Sequence, residues 1–529
     1  MTSIASLDLQ PQAHTISSAL NRSLRKNAQR TAIRFLDRTW TYQQLITAAD
    51  RVANHLLQQG LQQGDRLVAY GKNSDAYVIT WLACLRAGLV HVPTNFALSA
   101  EELRYVLRQS GARALVSDIS LSAAVQQACE GLSLAVSTYF HTDSQQSSLL
   151  QLALAETPAS APPVSIKDDD LAQLLYTSGT TAAPKAAMMT HKALMAEYFA
   201  CMVELDIEPG EPVLAALPLY HSAQMHVFLM PVLLRGATIR LMESPLPDLC
   251  LHWIEQENIA SFFAPPTFWI ALLRHPDFDQ RDLQSLKKAY YGASIMPVPV
   301  LQELQQRLPG VGLYNCYGQS EIAPLATVLR PEEHAERPAS AGRPILTVET
   351  RIVDLEMNDL PPGQQGEIVH RSPQLLTGYW DKPEMTAEAF QGGWFHSGDV
   401  GYMDEAGYLY IVDRIKDVIN TGGVVVASRE VEEALFTHPA VSEVAVIGLP
   451  DDKWIEAITA VVVLKEGSET TEQALIQHAR QHLAPFKLPK KILFSTTLPK
   501  STAGKILKRN LRKELSEETS EELSKETQE

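Results

Sequence analysis

Residues 171–191 read Leu-Ala-Gln-Leu-Leu-Tyr-Thr-Ser-Gly-Thr-Thr-Ala-Ala-Pro-Lys-Ala-Ala-Met-Met-Thr-His. The apolar run Leu171 to Leu175 has the length and composition of a buried strand, and the stretch from Ala186 to Cys201 reads as a helix. Between them, Thr177, Ser178, Thr180 and Thr181 flank Gly179, and Lys185 follows Pro184. Hydroxyls and backbone N–H groups on such a loop can wrap an anion while one ammonium supplies charge. A loop that leaves a strand and enters a helix is where α/β proteins hold phosphates. It is not a Walker loop, because Lys185 lacks the preceding Gly and the following Ser or Thr. A polar surface turn is the plain alternative.

Working outward, 529 residues are too many for one ordinary core, so two or more domains are expected. A hydrophobic content of 45% and a charged content of 20% are those of a water-soluble globular chain. The net charge of −16 argues against nucleic acid or an anionic membrane as main partner. A polyanionic ligand must therefore be met by locally placed cations. Cys84, Cys129, Cys201, Cys250 and Cys316 are scattered and form no Cys-x-x-Cys, which suits reduced thiols in a cytoplasmic protein. The apolar region Val213 to Leu234 is broken by Pro218, His221, Gln224, His226 and Pro231, so no integral membrane span is expected. The first thirteen residues carry no signal-peptide pattern.

Strand-like and helix-like segments alternate over most of the length, the mark of parallel sheets covered by helices. Leu67 to Tyr70 reads as strand, Ser74 to Ala87 as helix and Leu89 to Val92 as strand, with Gly88 and Pro93 as stops. Val213 to Leu217, Thr238 to Leu241, Ser261 to Ala264 and Lys288 to Tyr291 read as further short buried strands, and Leu301 to Leu308 as a helix. The texture changes after Arg414. There Val441 to Leu449 and Ile458 to Leu464 read as neighbouring strands, with helices over Arg429 to Leu435 and Thr471 to Leu483. The expected architecture is α/β: a large N-terminal domain (1–415) of parallel-rich sheets covered by helices, and a small mobile α+β C-terminal domain (416–513). Residues 514–529 form an acidic tail whose composition suits disorder.

Three more clusters carry chemistry. Tyr317-Gly318-Gln319-Ser320-Glu321 follows a strand-like Gly312 to Cys316 and offers an aromatic face, a hydroxyl and a hard carboxylate oxygen suited to Mg²⁺. Trp394-Phe395-His396-Ser397-Gly398-Asp399, with Asp413-Arg414-Ile415-Lys416 beyond it, offers a loop carboxylate and a guanidinium of the kind that hold ribose hydroxyls. Pro499-Lys500-Ser501-Thr502-Ala503-Gly504-Lys505 puts an ammonium on a Gly turn near the C-terminus. Taken singly, each is as well read as a surface turn.

Taken together, in this order and at these separations, the clusters resemble the adenylate-forming (ANL) superfamily of acyl-CoA synthetases and luciferases. The resemblance runs from Thr41-Tyr42-Gln43-Gln44-Leu45 to Lys505. It passes through Leu217-Pro218-Leu219-Tyr220-His221-Ser222, Tyr291-Gly292-Ala293-Ser294-Ile295-Met296-Pro297 and Arg337-Pro338-Ala339-Ser340-Ala341-Gly342. It implies ATP-dependent activation of a carboxylic acid to acyl-AMP with release of pyrophosphate, then transfer to CoA. By the same resemblance Thr177, Ser178, Gly179, Thr180, Thr181 and Lys185 cradle the phosphates. Ser320 faces the α-phosphate, and Glu321, with Thr181, holds Mg²⁺. Tyr317 and Gly318, with Gly292, Ala293 and Ser294, line the nucleotide, and Asp399 and Arg414 hold the ribose. Lys505 bridges carboxylate and α-phosphate during adenylation, and Lys416 is the hinge about which the small domain swings.

The resemblance also puts Tyr220, Phe262, Phe263, Phe268 and Trp269 at the acyl pocket, His221 at its mouth, and Gly422 and Gly423 on the thiol-donor side. Ala427-Ser428-Arg429-Glu430-Val431-Glu432 and Lys453-Trp454-Ile455-Glu456-Ala457 are most similar to fatty-acyl-CoA synthetases, so a medium- or long-chain fatty acid is the expected substrate. Ala182 and Ala186 stand where the family has glycines, and Val424-Val425-Val426 stands where Glu and Asn usually follow Gly422-Gly423. That second departure keeps open a ligase that loads the phosphopantetheine of a carrier protein, or an amine. A non-catalytic nucleotide- or acyl-binding relative is the third reading. The expected state is monomer or homodimer.

Overall fold

The computed structural model describes residues 14–142, 148–177, 184–294, 296–422, 424–451, 453–502 and 504–516. The chain packs as two compact units. The first takes the chain up to Leu246 together with Ser320–Leu325 and Ser372–Thr386. The second takes Pro247–Gln319, Ala326–Arg371 and the chain from Ala387 onward.

In the first unit a six-stranded sheet runs in the order Val136–Tyr139, Ala114–Ser117, Arg66–Tyr70, Val90–Thr94, Leu171–Thr177, Lys185–Thr190. The first five strands pair in parallel and the last is antiparallel to its neighbour. The intervening helices supply the crossovers that parallel strands require. Helix Asp75–Ala87 is buried on every side, so it carries apolar residues all round rather than on one stripe. Ser74 caps its start by accepting from Tyr77 N–H, and Gly88 ends it at φ 67°. Pro93, expected to stop the next strand, lies inside it opposite Ala69. A second parallel group runs Pro212–Ala215, Thr238–Leu241, Thr31–Phe35, to which Arg38–Thr41 adds antiparallel. Thr41 and Gln44 then form a capping box that opens helix Tyr42–Gln58.

The helix expected from Ala186 is a correction. Lys185–Thr190 is a strand hairpinned against Leu171–Thr177, and the helix begins only at His191, where Thr190 accepts from Ala193 N–H. Ala186, Ala187 and Met189 are all fully buried, so a short apolar run without clear period was free to take either structure, and sheet pairing decided it.

Beneath the Leu171–Thr177 strand lies a buried polar chain. Tyr198 Oη meets His226 Nδ1 at 2.8 Å, His226 Nε2 meets Gln173 Oε1 at 2.6 Å, and Gln173 Nε2 meets His91 Nδ1 at 3.0 Å. Burial pushes both imidazoles down to about 3, so they stay neutral.

In the second unit Ser261–Ala264, Lys288–Gly292 and Gly312–Gly318 pair in parallel. An antiparallel sheet follows, in the order Glu349–Val353, Gly366–Arg371, Phe395–Met403, Leu409–Arg414. The C-terminal body is α+β as expected. Val441–Asp451 and Ile455–Leu464 form a long antiparallel pair, covered by helices Ser428–Phe436 and Glu472–Ala479 over a core that includes Val431, Leu435, Val446, Ile458 and Leu475. Cys84, Cys201, Cys250 and Cys316 are buried and Cys129 is half-buried, all as free thiols. Among the described residues no helix is long and apolar enough to cross a membrane.

Candidate active site

The first unit assembles one cluster around the hairpin. Thr177 and Lys185 are cross-strand partners at its turn end. Ser178, Gly179, Thr180, Thr181 and Ala182 lie outside the described residues, as do Ile295, Gly423 and Ala503. A strand rather than a helix follows the turn, and it sets Lys185 across from Thr177. Ala186 sits in extended backbone, so glycine is not required there. Thr177 Oγ1 donates to Glu321 Oε1 at 3.1 Å. Lys185 Nζ donates to Tyr379 Oη at 2.6 Å and lies 3.8 Å from that ring's centroid, and Tyr379 Oη donates to the same Glu321 oxygen at 3.2 Å. A phenol thus stands between the ammonium and the carboxylate.

Ser320 and Glu321 sit on a single 3₁₀ turn, Ser320–Ile322. Ser222 Oγ lies 2.8 Å from Ser320 Oγ. The turn is pinned from behind by Glu197, whose carboxyl accepts from Leu325 N–H at 3.0 Å and from Gln374 Nε2 at 2.7 Å. Burial drives that carboxyl well above the usual range. Glu321 is 8% exposed, and its Oε2 has no hydrogen-bond partner among the described residues. One free hard oxygen beside a Thr hydroxyl fits Mg²⁺, which keeps several waters and binds through one or two carboxylates plus phosphate oxygens. No group of three or more His, Cys, Asp or Glu side chains able to hold a metal occurs among the described residues, so phosphate and water must complete such a shell.

The second unit assembles the other cluster. Asp399 and Arg414 face each other on adjacent strands, so Asp399 lies within a strand and not in the loop expected. Arg414 Nε meets Asp399 Oδ1 at 3.1 Å and Tyr317 Oη donates to Asp399 Oδ2 at 2.8 Å. The Tyr317 ring packs with Ile352, Ile368 and Leu409. Its hydroxyl is sequestered although the residue keeps some exposure, and burial and the Asp399 charge hold its proton well beyond the ordinary phenol range. Lys505 is exposed as a whole residue, yet its ammonium is lowered to about 8, first by desolvation and then by Arg414, with Asp399 opposing. Lys416, the expected hinge, is also lowered by burial and by Arg414.

Gly292 ends its strand where a Cβ would come within 2.2 Å of Cys316 O, so only glycine fits. Ala293 follows at φ 63°, a strained backbone for alanine, and Ser294 is half-buried. Gly318 closes the strand that carries Tyr317. Of the acyl-pocket candidates, Phe262, Phe263 and Trp269 are interior side chains at 0%, 3% and 1% exposure, and Trp269 Nε1 donates to Tyr290 O at 3.1 Å. Phe268 is half-buried, its ring edge-to-face with Phe262 at 6.1 Å. Tyr220 and His221 belong to the first unit, where Tyr220 packs edge-on to Phe96 at 5.9 Å and His221 N–H closes a turn on Pro218 O. Gly422, at φ 63°, packs against the Trp454 ring, while Val424 and Val425 are exposed.

Sequence reasoning missed Tyr379, Ser222, Glu197 and Gln374. Tyr379 lies 58 residues from Glu321, with no local pattern tying it to either partner.

Two family models match the chain: the AMP-binding enzyme model over residues 20–380 and the AMP-binding enzyme C-terminal domain over residues 430–505. A feruloyl-CoA synthase from an Amycolatopsis species is 37% identical over 494 residues, covering 93% of this chain and 97% of that one. A long-chain-fatty-acid–CoA ligase from Bacillus subtilis is 33% identical, covering 94% of each. The ATP-bound crystal structure of MatB from Rhodopseudomonas palustris superposes with a TM-score of 0.88 at 29% identity, covering 96% of this chain and 99% of that one. Fold, clusters and relatives define an adenylate-forming ligase of the acyl-CoA synthetase class. The chain belongs to the AMP-binding enzyme family.

Proposed function

We propose that the protein joins AMP from ATP to an apolar carboxylic acid and then passes the acyl group to CoA. The observation that carries this reading is the paired Asp399 and Arg414 in the same unit as Lys505, whose ammonium is lowered by desolvation and by Arg414, in a chain whose relatives are named for making acyl-CoA. A carboxylate attacking the α-phosphate brings two anions together, and a positioned ammonium offsets the charge that grows in the transition state. Asp399 and Arg414 hold the ribose, Tyr317 offers its ring to adenine, and Ser320 donates to the α-phosphate. Lys185 and the hydroxyls from Thr177 to Thr181 hold the β- and γ-phosphates. Glu321 would hold Mg²⁺, which neutralises phosphate charge when bound. The region from Lys416 onward acts as the mobile domain, moving Lys505 aside so that a thiol can attack the acyl-adenylate.

For the acid, the sequence around Arg429 and Trp454 supports a medium- or long-chain fatty acid, as does the Bacillus subtilis relative. The higher identity to a feruloyl-CoA synthase supports a hydroxycinnamate-type acid instead. Two exposed valines on the thiol-donor side, Val424 and Val425, support testing carrier-protein phosphopantetheine and amines beside CoA.

The test is acid-dependent pyrophosphate release with ferulate and with straight-chain acids of graded length, followed by mass spectrometry of the acceptor product. Lys505→Ala is expected to slow pyrophosphate release about a hundredfold or more while sparing transfer from supplied acyl-adenylate. A protein that consumes no ATP with any of these acids would overturn the reading.

A further inference from the structure

The turn that carries Lys505 is braced internally. Gly504 N–H donates to Ser501 O at 2.8 Å, Ser501 N–H to Lys505 O at 2.8 Å, and Lys505 N–H to Ser501 Oγ at 3.2 Å. Lys500 and Ile506 form an antiparallel bridge across its base. These bonds set the shape of the turn but not where it points.

Its seat is the start of helix Pro266–Arg274. Pro265 and Pro266 open that helix without a side-chain cap, and Thr267 presents its hydroxyl to the turn, donating to Gly504 O at 2.9 Å. The backbone approaches closely here. A Cβ on Gly504 would lie 2.9 Å from Thr267 Oγ1 and 3.3 Å from Pro265 Cγ, and Gly504 itself is at φ 80°. Glycine is therefore required twice over, for conformation and for contact. The same helix carries Phe268 and Trp269, two of the residues expected at the acyl pocket.

We infer that Thr267 is a positioning residue for Lys505: its hydroxyl, with the bare face of Gly504, docks the lysine turn on the helix that bears Phe268 and so fixes where the ammonium sits. This rests on the reading of Lys505 as the adenylation ammonium. Without the hydroxyl, the turn keeps its internal bonds but loses its anchor. The ammonium then samples positions more open to water and farther from the charges around it, Arg414 and Lys416 on one side of the balance and Asp399 and Asp417 on the other. The second half-reaction, in which Lys505 has no part, is untouched.

Two measurements test this on the full-length protein. The first needs no substrate: peptide-resolved reactivity of Lys505 toward acetic anhydride as a function of pH. In the parent enzyme the amine should become reactive around pH 8. In Thr267→Val the profile should move toward the ordinary lysine range, and Thr267→Ser, which restores the donor, should return it. The second uses ferulate and decanoate as probe acids. Thr267→Val should lower acid-dependent pyrophosphate release about three- to tenfold, the size of one hydrogen bond, and leave thioester formation from the supplied acyl-adenylate unchanged. Gly504→Ala should lower the first half-reaction at least as much.

An unshifted Lys505 profile in Thr267→Val overturns the inference, as does equal loss of both half-reactions or a serine variant no better than valine. If the parent enzyme releases no pyrophosphate with either acid, the proposed function fails, and the reactivity profile alone still decides whether Thr267 seats the lysine.

Discussion

At the residue scale, Tyr379 sets how Lys185 and Glu321 are held. Lys185 and Glu321 carry opposite charges, yet each meets the Tyr379 hydroxyl rather than the other. The phenol accepts from the ammonium and donates to the carboxylate, so both stay oriented without neutralising each other in a direct ion pair. Removing the hydroxyl takes away the spacer that keeps Lys185 and Glu321 apart. Tyr379→Phe is therefore expected to raise KM for MgATP about tenfold or more, the worth of hydrogen bonds to charged groups. The effect on the rate of transfer from supplied acyl-adenylate should be small, and steady-state kinetics at fixed free Mg²⁺ would show it. An unchanged KM would mean that the hydroxyl is a bystander. Lys505, Glu321, Asp399 and Arg414 stand out in the sequence as candidates because each sits in a short stretch of recognisable chemistry. Tyr379 does not, because its contacts with Lys185 and Glu321 are made through space and its neighbours Gly378 and Trp380 give no hint of either charge.

At the scale of elements, the hairpin Leu171–Thr177/Lys185–Thr190 is the part where sequence reading and structure diverge most usefully. The hydroxyls and Lys185 mark this loop in the sequence as a candidate anion site. The element after it was not legible there, since Ala-Ala-Met-Met satisfies a strand as well as a helix, and the true helix start is marked only by Thr190. The first strand is in turn held from below by Gln173, which bonds His226 through its oxygen and His91 through its nitrogen. That pattern makes His226 Nδ1 the acceptor for Tyr198 and His91 Nδ1 the acceptor for Gln173. Gln173→Leu would strip both histidines of a partner in a site with no access to water. The expected cost is about 2–4 kcal/mol, the sum of two unsatisfied buried groups, read from denaturant midpoints. A loss under half of that would mean that the strand does not depend on the polar chain beneath it.

For the whole molecule, the same burial sets an acid limit. His91 and His226 are lowered to about 3, and His191 and His370 to about 4, in each case chiefly by desolvation. A histidine in the unfolded chain takes up its proton near pH 6.5, whereas these four remain neutral in the folded state until far lower pH. Below about 6.5 the unfolded state therefore binds more protons, and stability falls as pH drops toward 4. Thermal melts between pH 7.5 and 4.5 should show a progressive fall in Tm beginning near 6.5. A flat profile across that window would contradict the assignment of four neutral buried imidazoles. The architecture itself was largely readable: alternating apolar runs gave the parallel sheets, and the change in texture after Arg414 gave the α+β body. What sequence order hides is that Ser320–Leu325 and Ser372–Thr386 pack with the first unit, because such excursions are fixed by long-range partners such as Glu197 and Gln374.

The placement of the sulfur atoms has a practical corollary. Four of the five thiols are sealed inside the packed protein and only Cys129 is partly open, with no cross-link among them. An alkylating reagent thus finds a single partly accessible target on the intact molecule and gains four more when the chain comes apart, so adduct mass serves as a built-in gauge of how much of a preparation is intact.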